Sequence, residues 1–210
     1  MSTPDALFFP TSSMEALRKK LIFFAVFLFV FFLISSPGVA RGGPRIRDVK
    51  VEIENEEIVV SARMTGGFRK EVLKEIHNGI PKEFYYYLLL KRKEQNWFDR
   101  EILAKTILYT VKYDILKKNY KIIQKDGDKV TEKQANDFEA MKKIVSQVNQ
   151  IVLAPVKLLQ KRHRYYASVK SQMKTVKMPL YLDYFLFFIP LLELDTPWAD
   201  SAPIVARPGK

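Results

Sequence analysis

Along residues 49–54, Val49, Val51 and Ile53 alternate with Lys50, Glu52 and Glu54, and a strand-like stretch resumes over 58–64 after Asn55-Glu56. A period of two puts one set of side chains on each face of a strand, so this stretch predicts an antiparallel hairpin. Gly66-Gly67 breaks the pattern. Phe68, Val72, Leu73 and Ile76 then recur at helical spacing, and Gly79 supplies a stop, which predicts a short amphipathic helix over 68–78. The aromatic run 84–92 reads as a strand, with Trp97 and Phe98 anchoring the turn after it. The longest strand signal follows. Ile107, Tyr109, Val111, Tyr113 and Ile115 mark its buried face, and Thr106, Thr110, Lys112 and Asp114 mark most of the wet one. Residues 120–124 form a further short strand closed by the turn triplet Asp126-Gly127-Asp128. Thr131 with Gln134 three positions on makes a capping box, and Ala135, Phe138, Met141, Val145 and Val148 predict a helix over 131–151. Strand pattern returns over 165–176. An apolar segment at 180–194, interrupted by Pro190, and a Pro-rich extended tail at 195–210 complete the chain.

Upstream of all this, residues 14–40 carry a different pattern. Arg18-Lys19-Lys20 precede a 14-residue run without a polar side chain, 21–34, and Ser35-Ser36-Pro37-Gly38-Val39-Ala40 follow. A basic n-region, an apolar h-region and small residues before Arg41 are the parts of a secretory signal, so cleavage before Arg41 is favoured. The competing reading is an uncleaved anchor. A bilayer core of about 30 Å asks for about 20 apolar residues, and this run spans only about 21 Å as a helix. Met14 stands where a compact signal begins, so the start lies at Met1 or Met14. Either way the chain is expected on the periplasmic side of an inner membrane. Residues 41–47, rich in Gly, Pro and Arg, read as a linker to one domain over 48–194.

Composition narrows the chemistry. The chain has 35 Lys and Arg against 23 Asp and Glu, a net charge of +12, and residues 1–40 hold little of that excess. With 48% hydrophobic residues it has the apolar content for a real core, and with no cysteine it has no thiol chemistry and no disulfides. Its stability must come from packing.

Several short motifs carry a family resemblance by their order. Asn78-Gly79-Ile80-Pro81 precede an aromatic strand, Arg92 stands five residues before Trp97, and Leu108-Tyr109 end eleven residues before Tyr120. A capped helix follows, then a Tyr-containing strand leading to Met178-Pro179-Leu180. Over about residues 45–198 this order resembles the proteobacterial envelope family described as the domain of unknown function numbered four-three-nine-zero. Met178-Pro179-Leu180 departs from the fuller Leu-Pro-x-Pro-Leu form of that family. The resemblance implies an exported, membrane-associated protein and brings no catalytic residues with it.

The sharpest feature of the domain is a charge asymmetry. Between Glu139 and Asp183 there is no acidic residue, while nine Lys and Arg fall in the interval. Lys161, Arg162, Arg164, Lys170, Lys174 and Lys177, with Tyr165, Tyr166 and Tyr181 among them, form a candidate surface for an anionic membrane or an acidic envelope protein. A solvated face neutralised from elsewhere in the fold is the plainer account. Export demotes nucleic acid as a partner. The apolar 180–194 segment carries Asp183, Pro190 and Glu193, so a core role is favoured over an interfacial one.

Catalytic signals are weak. His77 and His163 lack ligand spacing, Asp126-Gly127-Asp128 is too sparse for a calcium loop, and Gly66-Gly67 lacks the rest of a phosphate cradle. Glu56-Glu57 and Glu71 with Glu75 read as exposed surface pairs. The expected fold is α+β, an antiparallel sheet or sandwich of about six to eight strands with two helices packed on it. The expected function is a non-enzymatic, membrane-associated envelope domain with a scaffold or interaction role and no cofactor. The alternative is a periplasmic small-ligand binder with an apolar pocket inside the sandwich.

Overall fold

The computed structural model describes residues 24, 43–95, 98–176 and 193–205. All of the basic and apolar stretch 14–40 but Phe24, together with Trp97, Lys177, the Met178-Pro179-Leu180 motif and most of the apolar 180–194 segment, lies outside the described residues. The chain divides into two compact units, Met1–Arg41 and Gly42–Lys210, and the second carries the fold below.

That unit is α+β, with two antiparallel sheets. Strands β1 (Arg45–Glu54), β2 (Glu57–Thr65) and β7 (Gln147–Pro155) form a three-stranded sheet in the order β1-β2-β7. The large sheet runs β10-β8-β3-β4-β5-β6. It contains β3 (Lys82–Arg92), β4 (Arg100–Asp114), β5 (Asn119–Asp126), β6 (Lys129–Ala135) and β8 (Arg164–Thr175). The short strands β9 (Leu194–Asp195), β10 (Ala199–Asp200) and β11 (Ile204–Val205) all pair with β8. Helices α1 (Lys70–His77) and α2 (Phe138–Val145) pack on the inner face of the large sheet.

The β1–β2 hairpin closes through Asn55 and Glu56, both at positive φ (48° and 62°), with Glu54 opposite Glu57. Two consecutive left-handed residues match the twist of the flanking strands, as a two-residue hairpin turn requires. Strand β1 starts at Arg45, inside the segment read as a linker, and Ile46 is already buried in the core. A register break at Asp48, where φ is 54°, separates those first residues from the alternation that was visible in the sequence.

Strand β3 is the centre of the large sheet. Its inward residues Phe84, Tyr86, Leu88 and Leu90 are fully buried, while the residues between them stay half-exposed. At about 1.5–3 kcal/mol for each large apolar side chain removed from water, this one strand anchors both sheets. Phe98, read as a turn anchor, is instead 88% exposed, because the β3–β4 connection projects beyond the sandwich core.

The helix predicted over 131–151 is corrected. Residues from Thr131 run back along β5, with Thr131 opposite Gln124, and the Gln134 side-chain Oε1 accepts from Asn119 Nδ2 instead of closing a cap. The helix begins after Asp137, whose carboxylate accepts the Ala140 N–H at 2.8 Å. Ala135, Met141, Val145 and Val148 are all buried, yet they belong to β6, α2 and β7 in turn. Gln150 explains the disguise. It is a bulged residue at φ 47° whose N–H donates to Ser61 Oγ, and it sets Val148 and Ile151 three apart as a helix would. Replacing the true cap, Asp137→Ala, is expected to lower stability by about 1 kcal/mol, read as a shift in urea midpoint at constant slope.

The tail beginning at Asp195 is corrected as well. Up to Val205 it runs antiparallel along the free edge of β8, where the Thr196 N–H donates to Ser171 O at 2.9 Å and the Ser201 N–H to Ala167 O at 2.8 Å. Their hydroxyls return the favour, accepting from Ser171 N–H and Ala167 N–H. Pro197 and Pro203 fall between the paired segments, where an edge tolerates a missing N–H.

Candidate functional site

Strand β8 carries three of the six residues of the predicted basic block, Arg164, Lys170 and Lys174, and its pleat decides where each of its residues points. Tyr165, Ala167, Val169, Ser171 and Met173 face the core. Arg164, Tyr166, Lys170, Gln172 and Lys174 face outward, beside Lys91, Tyr87, Tyr85 and Glu83 of β3. Among the described residues no element packs over this outer face, since α1, α2 and the small sheet all lie on the other side.

The six predicted residues therefore do not form one patch. Lys161 and Arg162 are exposed in the connection before β8, with Arg162 at φ 67°. Arg164, Lys170 and Lys174 make a stripe along the strand, and Arg164 and Lys174 stand about 33 Å apart at 3.3 Å per residue. Lys177 lies outside the described residues. Part of the missing acidity comes from sequence-distant groups. Lys170 pairs with Asp195 at 2.9 Å across the β8 edge. The Lys174 ammonium sits 5.5 Å from the Tyr85 ring centroid, within cation–π range.

Tyrosines fill the spaces between these cations. Tyr85 and Tyr87 stack nearly parallel, 6.2 Å between centroids and 9° between planes. Tyr85 donates to Glu83 Oε2 at 2.7 Å, and that hydrogen bond, with some burial, pushes its hydroxyl up to about 12. Tyr87 donates to Gln172 Oε1 at 3.2 Å. Tyr166 donates to Asp99 Oδ2 at 2.7 Å. Partial burial, and then this bond, hold the tyrosine well above its ordinary range, while the same bond keeps Asp99 below the usual carboxylate range. At the strip's edge Trp198 is 46% exposed, with the Lys91 ammonium 5.8 Å from its ring centroid. All four rings thus present an apolar body with a fixed polar or cationic neighbour.

Of the tyrosines in the basic block, Tyr165 turns inward and its hydroxyl accepts from the Gln160 N–H at 2.9 Å, while Tyr181 lies outside the described residues. The sequence reading missed Tyr85 and Tyr87. The run Phe84-Tyr85-Tyr86-Tyr87-Leu88-Leu89-Leu90 is apolar throughout, so its alternation carried no contrast, although a strict period of two separates Tyr85, Tyr87 and Leu89 from the core set.

Metal chemistry finds no foothold among the described residues, where no three His, Cys, Asp or Glu side chains converge. His77 packs against Tyr113 at 4.9 Å with the rings tilted by 58° and hydrogen-bonds the Tyr120 hydroxyl, and His163 Nδ1 lies 3.1 Å from Lys161 O. Two adjoining hollows of about 360 and 340 Å³ lie on the opposite, open flank of the sandwich.

Comparison with known proteins adds one finding. No curated protein and no solved structure matches the chain. The family described as a domain of unknown function, DUF4390, matches over residues 42–201, which takes in every strand of both sheets except β11. The chain belongs to the DUF4390 family.

Proposed function

We propose that this is a non-enzymatic, exported envelope domain that lays the outer face of its large sheet against an anionic membrane surface. The observation that supports this most is the uncovered stripe of Arg164, Lys170 and Lys174, interleaved with Tyr166, Tyr85 and Tyr87. Rings with a polar tip suit the headgroup layer, and each lysine or arginine near an anionic leaflet contributes about 1 kcal/mol. Export rests on the sequence of residues 14–40. Its basic start, 14 apolar residues and small-residue exit resemble a secretory signal.

Flotation of the full chain with vesicles tests the proposal, comparing phosphatidylglycerol-rich with purely zwitterionic lipid. The N-terminal apolar run partitions into both, so the ratio between them is the readout. The triple variant R164E/K170E/K174E is expected to lower the anionic preference by about tenfold or more, with Lys170 giving less than its full share because Asp195 already neutralises it. Raising the salt should do the same. Equal flotation on both lipids, or an unchanged ratio in the variant, overturns the proposal.

A further inference from the structure

The two sheets are unequal. Three strands, β1, β2 and β7, face a sheet whose main path is six strands wide. Strand β1 packs against β8, and β7 lies over β4. Strands β5 and β6 therefore project beyond the small sheet with no strand opposite them among the described residues. The edge of β7 is tied down from below by β4: Lys105 Nζ donates to Val152 O at 2.7 Å, and the Tyr109 hydroxyl donates to Gln147 O at 3.2 Å. Burial pushes the Tyr109 hydroxyl up to about 12, so it remains a donor.

Beyond that line the inner face changes character. On β3 and β4 it is chiefly apolar, whereas the β5–β6 ribbon turns Gln124, Thr131, Lys129 and Lys133 toward the same side. The result is a trough with a polar floor. The edge of β7 forms its wall, and Lys143 and Ile144 of α2 stand at one end. The two hollows make up this trough and share Gln124, Lys133 and Ile151. From Gln147 to Val152 the wall is about 17 Å long at 3.3 Å per residue, room for a segment of about six extended residues.

Charge says what fits there. Lys129, Lys133 and Lys143 line the trough, and none is ion-paired among the described residues. The one carboxylate in the lining, Asp126, is held by Lys105 at 2.7 Å. The chain's own remaining segments do not complement this: 206–210 is basic, and 177–192 balances one lysine with one aspartate. We propose that the trough binds an extended acidic peptide segment of a partner protein, laid over β5 and β6 between the edges of β6 and β7 that have no strand partner among the described residues. An extended segment sends alternate side chains downward, so glutamates at every second position meet the lysines while the backbone runs beside an open edge. This site stands apart from the outer face, on the other side of the large sheet, and does not depend on it.

The test is a titration of the detergent-solubilised full chain with a fluorescent octapeptide alternating glutamate and threonine, followed by anisotropy. The glutamate peptide is expected to bind at least about tenfold tighter than its lysine–threonine counterpart, and K133E/K143E to abolish that preference. R164E/K170E/K174E should leave it intact. Lys133 and Lys143 are both exposed, so their reversal leaves the core untouched. Amide exchange should slow along 129–133 and 147–152 when the peptide binds. Equal affinity for the two peptides, or no effect of K133E/K143E, overturns the proposal. So does slowed exchange of the β7 edge without peptide in a chain that dimerises, since a second copy would then fill the trough.

Discussion

Lys82→Met, with Glu75 left in place, will lower the stability of the sandwich by about 3 kcal/mol, at the low end of what removing one partner of a buried ion pair costs. Lys82 is the first residue of β3 and its side chain is 0% exposed, while the Glu75 side chain from α1 is 14% exposed. The ammonium contacts Glu75 Oε2 and donates to Thr175 Oγ1 on β8. Oε2 lies against the ammonium but out of line for a directed hydrogen bond, so charge holds the pair. Without the ammonium the carboxylate is left nearly dry. The Glu75 side chain keeps 14% exposure, which is why the low end of the range applies. The double variant Lys82→Met/Glu75→Leu should recover most of the loss, because apolar side chains of similar size replace a buried pair at little cost. Urea unfolding of the three variants gives the comparison. If the double variant is no more stable than Lys82→Met, the loss comes from packing and the ion-pair account fails.

That pair also marks how far a sequence can be read. Glu71 with Glu75 reads as an exposed helix pair, and Lys82 carries no signal in the sequence, because nothing local says that β8 will close over Glu75 and Lys82. The hairpin at Asn55-Glu56, the helix α1 and the strand character of 84–92 and 165–176 were legible, since alternation, turn chemistry and helical spacing act within a few residues. The helix α2 was legible as a buried series but not in its bounds. The bulge at Gln150 converts strand spacing into helical spacing, and the β5–β6 turn competes for Thr131–Gln134. Likewise 195–205 reads as a tail because its partner is the edge of β8, some thirty residues earlier in the chain. The basic block was visible as composition. Only the pleat of β8 could separate Arg164, Lys170 and Lys174 from the inward residues between them, and only the register with β3 could set Tyr85 and Tyr87 among them.

The core's weakest tolerance should lie at Phe84. It is fully buried, sits between Tyr109 of β4 and Met173 of β8 in register, and stacks on Phe68 at 5.1 Å. Phe68 in turn meets Phe138 of α2 edge-on at 6.0 Å. One ring thus joins the central strand to the segment before α1 and, through it, to α2. Phe84→Ala removes that joint from a site walled by strands on both sides, where collapse is restricted, so a loss of about 3–5 kcal/mol is expected. Phe84→Met, which refills the space with a flexible side chain, should cost less than about 1.5 kcal/mol. Phe68→Ala should be milder than Phe84→Ala, because Phe68 is only partly buried. Combined with Phe84→Ala it should be less than additive by about 0.5–1.5 kcal/mol, the worth of the stacked pair. Strict additivity would mean that the two rings act independently, and α2 would then owe its place to Met141 and Val145 alone.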